Sequence, residues 1–106
     1  MVAVTNEAVE IVKKFLQLVK SAGIEIERTI LFGSYARGDS RKWSDIDLAV
    51  VSSGFSGISF YDSKKLTPFL LKVDSRIELH PFKPEDFTKD NEFVSEIIKN
   101  GLEIKI

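Results

Sequence analysis

The sequence predicts an α/β (α+β) fold, a small mixed β-sheet flanked by helices. Three observations carry this. Residues 6–22 repeat apolar side chains at helical spacing, short extended runs stand at 28–32, 45–51 and 73–80, and helix-forming stretches separate them. The order reads α, β, short α, β, α, β, α and a closing edge β, the pattern of helices covering a sheet.

Each element has a local reason. In 6–22, Ala8, Ile11, Val12, Phe15, Leu16, Val19 and Ala22 form one amphipathic stripe. Thr5 is the expected N-cap and Gly23 the expected left-handed stop. The run 28–32 ends in Thr-Ile-Leu-Phe and is broken by Gly33. Residues 34–37 read as a short helical turn and 38–44 as a polar loop. In 45–51, Ile46, Leu48 and Val50 share one strand face, while Asp45, Asp47, Ala49 and Val51 share the other. The Ser- and Gly-rich stretch 52–57 is a loop. A helix over 59–71 is expected to end or kink near Thr67, because Pro68 lacks an N–H. In 73–80, Val73, Ile77 and Leu79 oppose Asp74, Arg76, Glu78 and His80, and Pro81 is expected to stop the strand. Pro84 suits a helix start, with Glu85 and Asp86 favourable near its positive end. A last helix over 91–100 ends at Gly101, and 102–106 alternates as an edge strand.

Composition narrows the class. The chain has 106 residues, enough for one domain, 1–106, and is 43% hydrophobic and 29% charged. Those fractions exclude a disordered tail and a collagen-like fibre. The apolar run Leu48-Ala49-Val50-Val51 is as long as any, far short of the roughly 20 residues of a membrane span. The first ten residues lack the basic-then-apolar pattern of a signal peptide. There is no cysteine, so disulfides, thiolate metal sites and cysteine nucleophiles are absent, in keeping with a cytoplasmic protein. Fifteen basic residues balance sixteen acidic ones, which argues against a nucleic-acid-coating surface.

The chemistry concentrates in residues 31–48. A strand running into Gly33-Ser34 and a helical turn points free N–H groups at an anion, and glycine lets a phosphate approach closely. Ser34 adds a hydroxyl donor. Arg37, Arg41 and Lys42 stand against Asp39 alone. Asp45 and Asp47 lie two apart, so a strand projects both carboxylates from one face. Their repulsion falls when a divalent cation binds between them, and oxygen ligands suit Mg²⁺. Each signal is common by itself; Asp-x-Asp also serves as a solvated strand end or a capping pair. Together, a phosphate cradle beside paired carboxylates is the composition of a metal-dependent phosphoryl or nucleotidyl transfer site.

Gly33-Ser34, ten residues, then Asp45-Ile46-Asp47 resembles the signature of the DNA polymerase β-like nucleotidyltransferase superfamily. The fuller string Leu-Phe-Gly-Ser-Tyr-Ala-Arg-Gly, closing on Ser-Asp-Ile-Asp-Leu, is similar to its minimal nucleotidyltransferase branch. The resemblance implies two Mg²⁺ ions held by Asp45, Asp47 and a third carboxylate. Glu78 takes that place in Arg-Ile-Glu-Leu-His-Pro-Phe, with Asp74 its rival on the same face and an ion pair with Arg76 or Lys72 its plain alternative. Gly33 and Ser34 are implied triphosphate contacts. Arg37 is either a phosphate contact or a partner of Asp39. His80 shares Glu78's face and reads as a hydrogen-bonded strand residue rather than a ligand. Tyr35 and Tyr61 read as half-buried packing residues before base-stacking ones, and Trp43 has no assigned task. Members of the branch act as antitoxins paired with a small helical toxin of the HEPN ribonuclease class, whose tyrosine accepts AMP from ATP. The resemblance thus implies AMP transfer to such a partner. The competing expectations are an antitoxin that masks its toxin by contact, and a transferase acting on an RNA or small-molecule hydroxyl.

Overall fold

The computed structural model describes residues 6–33 and 45–105. Among them, helix α1 (Asn6–Ser21) leads into strand β1 (Arg28–Phe32) and then strand β2 (Ile46–Val51). Helix α2 (Ser59–Val73), strand β3 (Ile77–Phe82), a 3₁₀ turn (Pro84–Asp86), helix α3 (Glu92–Asn100) and strand β4 (Leu102–Glu103) follow. The sheet order is β3-β2-β1-β4, with β2 and β3 parallel and β1 antiparallel to both β2 and β4. The expected mixed sheet and its edge strand are both present. Thr5 and the short turn expected over 34–37 lie outside the described residues, as do Tyr35 and Trp43.

Both faces of the sheet are covered because both faces of its central strands are apolar. Ile46, Leu48 and Val50 of β2 and Leu31 of β1 pack under α1 and α2, against Val12, Phe15, Val19, Leu66 and Leu70. Ala49 and Val51 of β2 and Ile30 of β1 pack with Val94 and Ile97 of α3 and with Phe87 after the 3₁₀ turn. α1 stops as expected: Gly23 takes φ +84°, its N–H bonds the Lys20 carbonyl, and the Ile24 N–H bonds the Val19 carbonyl. Asn91 caps α3, its side chain accepting from the N–H groups of Phe93 and Val94.

Two prolines depart from expectation. α2 runs through Pro68 to Val73, so Val73 belongs to the helix and not to a strand. Pro68 sits on the exposed side, while Leu66 and Leu70 are buried and hold the helix down on both sides of it. The Thr67 hydroxyl also donates to the Ser63 carbonyl at 2.8 Å. β3 begins at Ile77 rather than at residue 73 and continues through Pro81 to Phe82. The carbonyls of Arg76 and Phe82 accept from Ile46 and Ser52 at either end of β2. Backbone groups of β3 therefore face β2 at even positions, and Pro81 turns its missing N–H away from the sheet at an open edge, where proline is tolerated.

Candidate active site

The strand register builds the site. On the α3 face, Phe32, Asp47 and Glu78 form one row across β1, β2 and β3; Ile30, Ala49 and His80 form the next. The next row is Arg28, Val51 and Phe82, with Arg28 paired to Glu103, so the carboxylates of the first row gather at the end where β1 leaves and β2 enters. Asp47, Glu78 and His80 bring one ligand atom each to within 4.8 Å of one another, and His80 Nε2 lies 3.4 Å from Asp47 Oδ1. Asp45 is exposed just before β2 begins, outside that trio and outside the strand it was expected to start. Its charge still reaches Glu78.

Asp74, the rival third carboxylate, is committed elsewhere. Its oxygens accept from Arg76 Nε at 3.0 Å and Nη2 at 2.7 Å, and Arg76 also reaches Glu7 of α1 at 3.2 Å. The Arg76 hydrogen bonds hold the Asp74 carboxyl below the usual carboxylate range. Glu78 is the acidic residue of β3 that stands beside Asp47, and its alternative pairing with Arg76 is taken by Asp74 and Glu7.

Glu78 is pushed the other way. Glu78 is exposed, so only partial loss of water raises its carboxyl first; the adjacent Asp47 raises it further, and His80 offsets part of the rise. A carboxyl raised by folding gives stability that is full below its unfolded pKa and is lost as pH climbs through the folded one. Glu78→Gln is therefore expected to make the metal-free protein more resistant to urea than wild type at pH 7. The difference should close as pH falls to about 4, near the ordinary carboxylate value. Equal midpoints at pH 7 would remove the crowding of charge at this row.

Gly33 turns the chain out of β1 with φ +77°, and a methyl group placed on it would run into the Asp47 carboxylate. The glycine thus makes room for Asp47. Ser34 and Arg37 lie outside the described residues. An aromatic wall closes one side: the His80 ring meets Phe32 at 5.0 Å and Phe93 at 5.8 Å, and Phe93 of α3 is 47% exposed. Tyr61 is on α2, across the sheet from this site and 61% exposed, so it is neither half-buried nor near the carboxylates. His80 is a hydrogen-bonded strand residue as expected, with Asp47 as its partner, but sequence reasoning did not place it in the carboxylate cluster. Its two-residue spacing from Glu78 was the available signal; its approach to Asp47 depends on strand pairing. The donor set of two carboxylates and an imidazole, with a third carboxylate nearby, fits a divalent cation.

The chain belongs to the nucleotidyltransferase domain family, whose model matches residues 10–104 and so spans the glycine turn and the carboxylate row. It is thereby a transferase. A protein of Methanocaldococcus jannaschii with the provisional name protein adenylyltransferase MJ0141 is 30% identical over 101 residues, covering 92% of this chain and 99% of that one. The fold matches a provisional nucleotidyltransferase crystal structure from Sulfolobus solfataricus (TM-score 0.64, 20% identity, 92% of this chain and 78% of that one). It also matches a chain of a toxin–antitoxin complex solved with AMP-PNP (TM-score 0.57, 22% identity, 86% of this chain and 69% of that one).

Proposed function

We propose that this chain transfers AMP from ATP to a tyrosine hydroxyl of a small helical HEPN-type toxin, as the antitoxin of the pair. The observation that carries the reading is the adjacency of Asp47 and Glu78 in one sheet row beside the Gly33 turn. The name of the M. jannaschii relative supports a protein acceptor, and the toxin–antitoxin complex with AMP-PNP supports the setting. The HEPN class and the tyrosine follow from the sequence resemblance, as does a cytoplasmic location. No helix among the described residues is long and apolar enough to cross a membrane.

In this reading the acceptor hydroxyl loses its proton to solvent, its oxygen bonds to the α-phosphorus, the bond from that phosphorus to the bridging oxygen breaks, and pyrophosphate leaves with the electron pair. Asp47 and Glu78, with Asp45 beside them, would hold divalent cations, two Mg²⁺ by resemblance, which when bound would neutralise charge on the triphosphate. Gly33 gives Asp47 its place at the turn, and by resemblance Ser34 and Arg37 would contact phosphate oxygens.

Mg-ATP is expected to raise the melting temperature by several degrees, since a ligand bound to the native state alone stabilises it by mass action. EDTA should remove most of the rise. An unchanged melting curve at millimolar Mg-ATP contradicts the site.

A further inference from the structure

We propose that His80 gives its ring nitrogen to the cation held by Asp47 and Glu78, making this a mixed nitrogen–oxygen site that favours Mn²⁺ or Co²⁺ over Mg²⁺. The proposal rests on the cation-site reading above. Three observations carry it.

The first is spacing. His80 Nε2 and Asp47 Oδ1 are 3.4 Å apart. That is the long end of a hydrogen bond. Two ligands each about 2.1 Å from a common ion stand roughly 3.0–3.4 Å apart, so the pair is already spaced to take a cation between them with little movement. The Glu78 carboxylate closes the same group within 4.8 Å.

The second is orientation. Glu78 and His80 alternate on one face of β3, and Asp47 pairs with Glu78 on the neighbouring strand. Phe32 and Phe93 flank the imidazole at 5.0 and 5.8 Å, which restricts its ring while leaving Nε2 toward Asp47.

The third is donor chemistry. Carboxylates suit Mg²⁺, Ca²⁺ and Mn²⁺ alike, but an imidazole adds affinity for first-row transition ions and little for Mg²⁺. One nitrogen among oxygens therefore shifts selectivity without excluding Mg²⁺.

The protein contains a single histidine, which makes the test specific. The untagged full chain is loaded with Mn²⁺ and measured by pulsed electron paramagnetic resonance. A ¹⁴N modulation from a directly bound ring nitrogen is expected, and growth with ¹⁵N-histidine should change it while leaving the protein otherwise identical. In His80→Asn, checked for folding by its melting curve, the Mn²⁺-over-Mg²⁺ affinity ratio should fall on the order of tenfold. Bound Mn²⁺ with no histidine nitrogen coupling overturns the proposal and leaves the carboxylate site standing. Failure to bind Mn²⁺ at all overturns both.

Discussion

Replacing Asp45 and Asp47 together by Asn is expected to lower AMP transfer by several orders of magnitude while leaving partner binding intact. The substitution keeps side-chain size and hydrogen-bonding capacity and removes the charge that holds a cation against the triphosphate. Charge stabilisation of a transferring phosphoryl group is among the largest single contributions an enzyme makes. Removing Asp47 also relieves Glu78 of the neighbour that raises its carboxyl, so the metal-free fold should be at least as stable as wild type. Transfer is read with labelled ATP and a small helical HEPN-type toxin as acceptor; binding is read by co-purification. In a cell expressing that toxin, loss of protection by the double variant ties neutralisation to the chemistry. Full protection with no AMP on the toxin transfers the role to contact masking.

Gly33→Val is expected to be the most damaging single change near the site. Its φ of +77° costs an ordinary residue about 1–2 kcal/mol and a branched one more. The new side chain also meets the Asp47 carboxylate, which must then leave its row beside Glu78. Both the melting temperature and the Mg-ATP-induced rise should fall, the second nearly to zero. Gly33→Ala separates the two causes, because it meets Asp47 with less backbone strain. A Gly33→Val protein that binds Mg-ATP as wild type does would show that neither Asp47 nor an open glycine turn serves the nucleotide.

Much of this was legible in residue order. The α1 stripe and its Gly23 stop are local patterns, and so are the Asn91 start of α3 and the closing edge strand. The carboxylate row was half legible. Asp47 stood out by its spacing, and Glu78 by motif resemblance, but alternation alone left Asp74 equally placed. What separated them was the start of β3 at Ile77, which leaves Asp74 in the turn to clasp Arg76. The prolines misled for a common reason. Rules for Pro68 and Pro81 are local, whereas burial of Leu66 and Leu70, and an open sheet edge, belong to the whole fold. His80 was passed over because its nearness to Asp47 exists only after β2 and β3 pair.

Transfer of label from ATP to the partner tests the central claim most directly. Wild-type protein, the helical partner and Mg²⁺ are incubated with ATP labelled at either the α- or the γ-phosphate, and the partner is then isolated and its modified residue mapped. The account predicts label on a tyrosine from α-labelled ATP, none from γ-labelled ATP, and none of either with the Asp45→Asn/Asp47→Asn protein. Label arriving from the γ-phosphate, or an unmodified partner in an active mixture that still neutralises it, would contradict the account.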